Sequence, residues 1–185
     1  MLQGHIPYVD LLEHKGPYMY ALSGIGYLLS PKGFQGYFLF ELISMFFFAL
    51  YSYKTIKLYT EHPALWVLPF LCAGVMSAKS FVHGGSLEEL SLGIFAYAIY
   101  SLLTYLRDER KGAMPAVALG VNGLFAGILF WSKFTLLGLY MVWITVLAVE
   151  SLRREGWRRA FRNIAIFQGI LSATTIPWLI YFGVH

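Results

Sequence analysis

Charge along this chain is confined to short clusters, and the stretches between them have bilayer-like lengths. No Lys, Arg, Asp or Glu occurs in 63–78, 90–106, 112–132, 134–149 or 163–185. A helix crossing about 30 Å of hydrocarbon needs about 20 mostly apolar residues, so these blocks predict five spanning helices. A sixth is predicted over 33–53, with Glu41 inside it. Proline breaks or starts helices, so Thr60-Glu61-His62-Pro63 reads as the exit turn of that span.

Residues 1–32 read differently. Asp10, Glu13, His14 and Lys15 are mixed with aromatics, and Gly16, Pro17, Gly24 and Gly26 interrupt the apolar run that follows. The expectation is a loop with one or two short helices lying at the membrane interface. The fold class is therefore an all-α polytopic membrane protein. About six transmembrane helices form one bundle domain over 33–185, and 1–32 forms an outer-face interfacial segment.

Composition supports the lipid reading. Apolar residues are 58% of the 185 and charged residues 13%, whereas a soluble domain is about a quarter charged. An aromatic content of 18% argues against disorder. The single cysteine, Cys72, excludes an intramolecular disulfide, a Cys-based zinc site and an iron–sulfur cluster. The formal net charge of +4 is explained by topology and needs no nucleic acid. Placing the loops around 54–61, 107–111 and 153–162 on one side gathers ten of the 14 lysines and arginines, leaving Lys15, Lys32, Lys79 and Lys133 opposite. Cytoplasmic loops carry the basic excess, so 1–32 and the loop at 82–87 face outward. Met1 opens without a basic start or an early apolar core, so nothing resembles an export signal. An outward start then implies either a preceding helix or an amino terminus translocated without one, and the expectation is a fragment of a larger transporter or enzyme, cut at both ends.

Several features have ordinary structural readings. Gly120, Gly123 and Gly127 share a helical face, as close packing by small residues requires. Asn122 and Gln168 read as hydrogen-bonding links between helices, and Trp131, Trp143, Trp157 and Trp178 as interfacial or lipid-facing anchors. Glu41 stands within its span, where an acid is either paired or functional.

Chemistry concentrates in the outer loop. Asp10, Glu13, His14 and Lys15 lie within six residues and lead into Gly16-Pro17-Tyr18. Read alone, they form either a solvated interfacial loop or a phosphate or metal site. The string Pro7-Tyr8-Val9-Asp10-Leu11-Leu12-Glu13-His14-Lys15-Gly16-Pro17 resembles the first external loop of bacterial GT-C glycosyltransferases. These are integral-membrane relatives of protein O-mannosyltransferases and of the lipid A aminoarabinose transferase. Gly84-Gly85-Ser86-Leu87-Glu88-Glu89 resembles the family's second external loop more weakly.

The resemblance implies sugar transfer from a polyprenyl-phosphate donor to an acceptor hydroxyl, at the outer face of the bacterial inner membrane. It makes Lys15 the donor-phosphate ligand, Asp10 and Glu13 the candidate catalytic acids, and His14 a position for a divalent metal. Glu88 and Glu89 are acids of the second loop. Family members usually place the catalytic base before the Pro-Tyr string, which implies that this chain is inactive alone. Two other readings compete: a small transporter or channel using Glu41, and a non-catalytic scaffold subunit. Paired broken helices would mark the transporter, and the chain has no such paired halves.

Overall fold

The fold comes from a computed structural model that describes residues 16–61, 65–79, 85–108 and 113–184. Among them are eight α-helices and no strand. They are α1 (Pro17–Leu29), α2 (Gln35–Tyr59), α3 (Val67–Met76), α4 (Leu87–Arg107), α5 (Ala116–Phe130), α6 (Gly138–Glu155), α7 (Trp157–Ala173) and α8 (Ile176–Val184). A 3-10 turn, Phe134–Leu137, runs directly into α6.

Four helical stretches are long and apolar enough to cross a membrane: Gln35–Tyr59, Leu87–Arg107, Phe134–Glu155 and Trp157–Val184. The charge-free blocks at 63–78 and 112–132 yield the 10-residue α3 and the 15-residue α5. At 1.5 Å per residue these run about 15 and 22 Å, short of the bilayer core. The membrane-helix expectation thus stands at four bilayer-length helices among the described residues. For α5 the cause is Pro115, which sits at its N-cap and keeps 113–115 out of the helix. The 163–185 block is likewise divided, by a turn at Thr174–Thr175 just ahead of Pro177. Within 1–32 a short helix is present, the 13-residue α1, which opens with Pro17 at its first position.

The chain forms two compact units, one from the described parts of Met1–Tyr37 and Met114–His185, the other Phe38–Ala113. In the first, α7 packs against both α5 and α6. Small residues allow the α5–α7 approach. A Cβ on Gly123 would lie 2.5 Å from the Phe167 carbonyl oxygen, and one on Gly127 would collide with the Thr174 side chain. Asn122, fully buried, accepts from the Tyr140 hydroxyl at 3.3 Å and so links α5 to α6. Asn163 donates to Ser151 at 3.2 Å and links α7 to α6.

Two of the expected tryptophan anchors belong to this core instead. Trp143 is 2% exposed and stacks on Phe167 at 5.5 Å between ring centroids. Trp178 is also buried, with Tyr18 edge-on at 4.8 Å. Trp131 is partly buried and donates to Thr175, while Trp157 is fully available to an interface at 69% exposure. Gln168 is exposed and makes no hydrogen bond to another helix among the described residues.

In the second unit α2 meets α4. The Ser44 hydroxyl inserts into the first turns of α4, donating to the Glu89 carbonyl at 2.8 Å and accepting from the Gly93 N–H at 3.2 Å. Gly93 is required there, since a Cβ would meet the Ser44 carbonyl at 2.9 Å. Further along the same seam Tyr51 contacts Tyr97 and Tyr100, and the Lys54 ammonium lies 5.0 Å over the Tyr51 ring.

Candidate functional site

Of the residues expected to carry chemistry, Glu88 and Glu89 are described, whereas Asp10, Glu13, His14 and Lys15 lie outside the described residues. The second-loop acids open α4, and their position follows from local chemistry. Ser86 is the N-cap. Its hydroxyl accepts from the Glu89 N–H at 3.2 Å, and the Glu89 carboxylate accepts from the Ser86 N–H at 3.0 Å. This reciprocal box satisfies two donors that a helix start leaves unpaired. Acids in a first turn also complement the positive end of the helix dipole.

The structure then adds a residue from another helix. Glu41 of α2 accepts a hydrogen bond from the Gly85 N–H, and its carboxyl lies near that of Glu89. The hydrogen bond from Gly85 ties α2 to the residues that lead into α4. Gly85 has φ of 69°, in the left-handed region that glycine tolerates, which lets its N–H turn toward Glu41. Of the two alternatives that the sequence leaves for Glu41, a paired or a functional acid, the Gly85 N–H supplies a partner. Glu41 and Ser44 are three apart on one helical face, and that spacing is the signal for their shared contact with α4.

In the other unit, the described end of the first-loop string is firmly placed. Gly16 donates to the Ser132 carbonyl at 2.9 Å and has no room for a side chain against the Trp131 carbonyl. Pro17 is buried, and the Tyr18 hydroxyl donates to the Thr174 carbonyl at 3.4 Å. Gly16-Pro17 thus serves close packing at the start of α1, immediately after Lys15 in the chain.

Among the described residues no group of three or more His, Cys, Asp or Glu is arranged to hold a metal ion. Glu41, Glu88 and Glu89 do not make a metal centre by themselves. Comparison with protein-family models, with curated proteins and with solved structures finds no match to this chain.

Proposed function

We propose that the chain belongs to a membrane glycosyltransferase of the GT-C type. It would pass a sugar from a polyprenyl-phosphate donor to an acceptor hydroxyl at the extracytoplasmic face of a bacterial cytoplasmic membrane. The observation that carries this reading is the 7–17 string, which puts two acids, an imidazole and an ammonium directly before the docked Gly16-Pro17 pair. The hydrogen bond from the Gly85 N–H to Glu41, which holds the second loop to α2, supports it.

In this reading the acceptor oxygen bonds to the anomeric carbon while its proton passes to a loop carboxylate, Asp10 or Glu13. The carbon–oxygen bond to phosphate breaks, and polyprenyl phosphate leaves with the bonding pair. Lys15 meets the charge that develops on that phosphate, which is where a fixed cation helps the transition state most. Glu41 acts as a positioning residue through Gly85, holding the second loop and its acids Glu88 and Glu89. No step is routed through a metal.

The test is photo-crosslinking of a diazirine-bearing polyprenyl-phosphate sugar to the chain in membranes. Labelling is expected to fall about tenfold or more in Lys15→Ala, as for loss of a charge-assisted phosphate contact. It should be unchanged in Lys32→Ala. Equal losses at the two lysines would sink the proposal, because generic surface charge would then account for the labelling.

A second reading, a small transporter or channel, is favoured by one observation: the Glu41 carboxyl on a helix of bilayer length, bound by the Gly85 N–H. Proton flux into liposomes that vanishes in Glu41→Gln, with no labelling by the sugar lipid, would select it.

A further inference from the structure

Unneutralised charge gathers at the turn joining α6 to α7. Arg153, Arg154, Arg158, Arg159 and Arg162 fall within ten positions, opposed nearby only by Glu150 and Glu155. Glu150 is occupied by Arg154, at 2.5 Å. Arg153, Arg158, Arg159 and Arg162 are exposed and form no ion pair among the described residues.

The same turn exposes large aromatics. Ala160, Asn163 and Phe167 are buried and define the inward face of α7. Arg158 and Arg162, four apart, lie on the opposite side. Trp157 and Phe161, also four apart, flank them, each 69% exposed. The Arg158 guanidinium sits 5.8 Å over the Trp157 ring. Arginines interleaved with exposed Trp and Phe suit a boundary between headgroups and acyl chains, where each half of the pattern finds its own solvent.

Length gives the depth. Trp157–Val184 covers 28 residues. With α7 and α8 laid end to end across the turn at Thr174–Thr175, that is at most about 42 Å against about 30 Å of hydrocarbon, an excess of up to roughly eight residues. All the charge of this stretch lies in its first two turns, so the excess falls on Trp157, Arg158, Arg159, Phe161 and Arg162. The local electrostatics are also incomplete. Gly156, at φ of 82°, offers α7 no side-chain cap, and its first turn holds arginines and no acid. Cations at the positive end of a helix dipole are unfavourable until an anion joins them.

We propose that the α6–α7 turn is a docking surface for anionic phospholipid headgroups. Arg158, Arg159 and Arg162 gather the phosphates, and Trp157 and Phe161 enter the acyl boundary beside them. Charge complementarity names an anion. The aromatics on the same turn, which require an apolar medium, make that anion a lipid.

Trp157 supplies the reporter. The purified 185-residue chain is reconstituted in phosphatidylcholine vesicles containing equal mole fractions of brominated phosphatidylglycerol or brominated phosphatidylcholine. The brominated anionic lipid is expected to quench tryptophan emission more strongly, and this excess should disappear in Trp157→Phe. Each of Arg158→Gln, Arg159→Gln and Arg162→Gln should lower the preference about fivefold, the effect of one basic residue near an anionic surface. The triple Arg→Lys variant should keep most of it, separating charge from misfolding. Equal quenching by the two lipids, or an excess surviving the triple Arg→Gln change, overturns the proposal. Displacement of the excess by soluble polyglutamate at matched charge would assign the surface to an acidic protein and overturn it as well.

Discussion

Where α5, α6 and α7 meet, the polar groups are amides and hydroxyls: Asn122, Asn163, Ser151 and the Tyr140 hydroxyl, all buried. Where α2 meets α4, a carboxylic acid, Glu41, stands one turn from the buried Ser44, and a second acid, Glu89, reaches it from the loop end of α4. Both pairings connect apolar helices. Their chemistry differs, because an amide cannot change its charge and a carboxyl can. Buried neutral groups between membrane helices contribute assembly, typically about 1 kcal/mol per hydrogen bond. An acid within a span is costly, and a use is its default explanation. The α5–α6–α7 contact is therefore held by neutral groups, and the α2–α4 seam is the one that carries ionisable acids.

The largest test of the packed unit is Trp143→Ala. Trp143 stacks on Phe167 and contacts Tyr140, so its removal leaves a large hole at the α6–α7 contact. About 3 kcal/mol of stability should be lost in SDS titration of the folded chain in mixed micelles. Trp157→Ala, at an exposed position, should stay within about 0.5 kcal/mol. Comparable losses would mean that the two tryptophans share one role.

A smaller effect separates the two units directly. Gly123→Leu forces side-chain atoms against the Phe167 backbone and should cost about 1–3 kcal/mol. Gly74→Leu, in α3, has nothing within 4 Å of its added Cβ and should be neutral in the same titration. Destabilisation at Gly74 would show that α3 is packed as tightly as α5.

The contrast between tryptophans and glycines also shows what could be read from the chain beforehand. Charge-free blocks locate membrane helices, because lipid tolerates no unpaired charge, and the glycine stripe on α5 announces close packing because nothing larger fits. Trp143 and Trp178 were not legible as core. In lipid both the buried and the exposed faces of a helix are apolar, so hydropathy carries no mark of which face a neighbour covers. The short α5 was legible only through Pro115, whose effect a charge count ignores. At the candidate site, the Ser86–Glu89 box is local and readable from spacing. The Glu41–Gly85 link joins residues 44 positions apart, and no local pattern encodes it. Asp10, Glu13, His14 and Lys15 rest on the resemblance of their string alone.

The α2–α4 seam has its own test in Ser44→Ala. The hydroxyl stands between the Glu89 carbonyl and the Gly93 N–H, so its loss leaves a gap in the helix ladder that the methyl cannot fill. A cost of about 1–2 kcal/mol is expected, near the upper range for interhelical hydrogen bonds in membranes. The change should also weaken the α4 opening that presents Glu88 and Glu89. Hydrogen exchange at the Glu89 and Gly93 amides should rise, with no change in α7. Unchanged exchange at both amides would mean that α4 holds its first turn without α2.

The smallest expected effect compares two buried amides of one unit. Asn122 uses both ends of its side chain, donating to the Ala118 carbonyl at 2.8 Å and accepting from Tyr140. Asn163 donates to Ser151, but its Oδ1 is buried without a hydrogen-bond partner among the described residues. A buried acceptor left unmade carries a desolvation cost that offsets what the other end gains, and replacing such a group by an apolar one of similar shape is close to neutral. Asn122→Leu should therefore cost about 1 kcal/mol, and Asn163→Leu should fall within about 0.5 kcal/mol of the parent or stabilise it. The two variants are measured side by side in SDS titration, with the Ser151→Ala/Asn163→Leu double variant closing the cycle. A loss at Asn163 as large as that at Asn122 would show that its Oδ1 is satisfied in the folded chain. The α6–α7 contact would then contain a further polar group, and the two amides would no longer differ in kind.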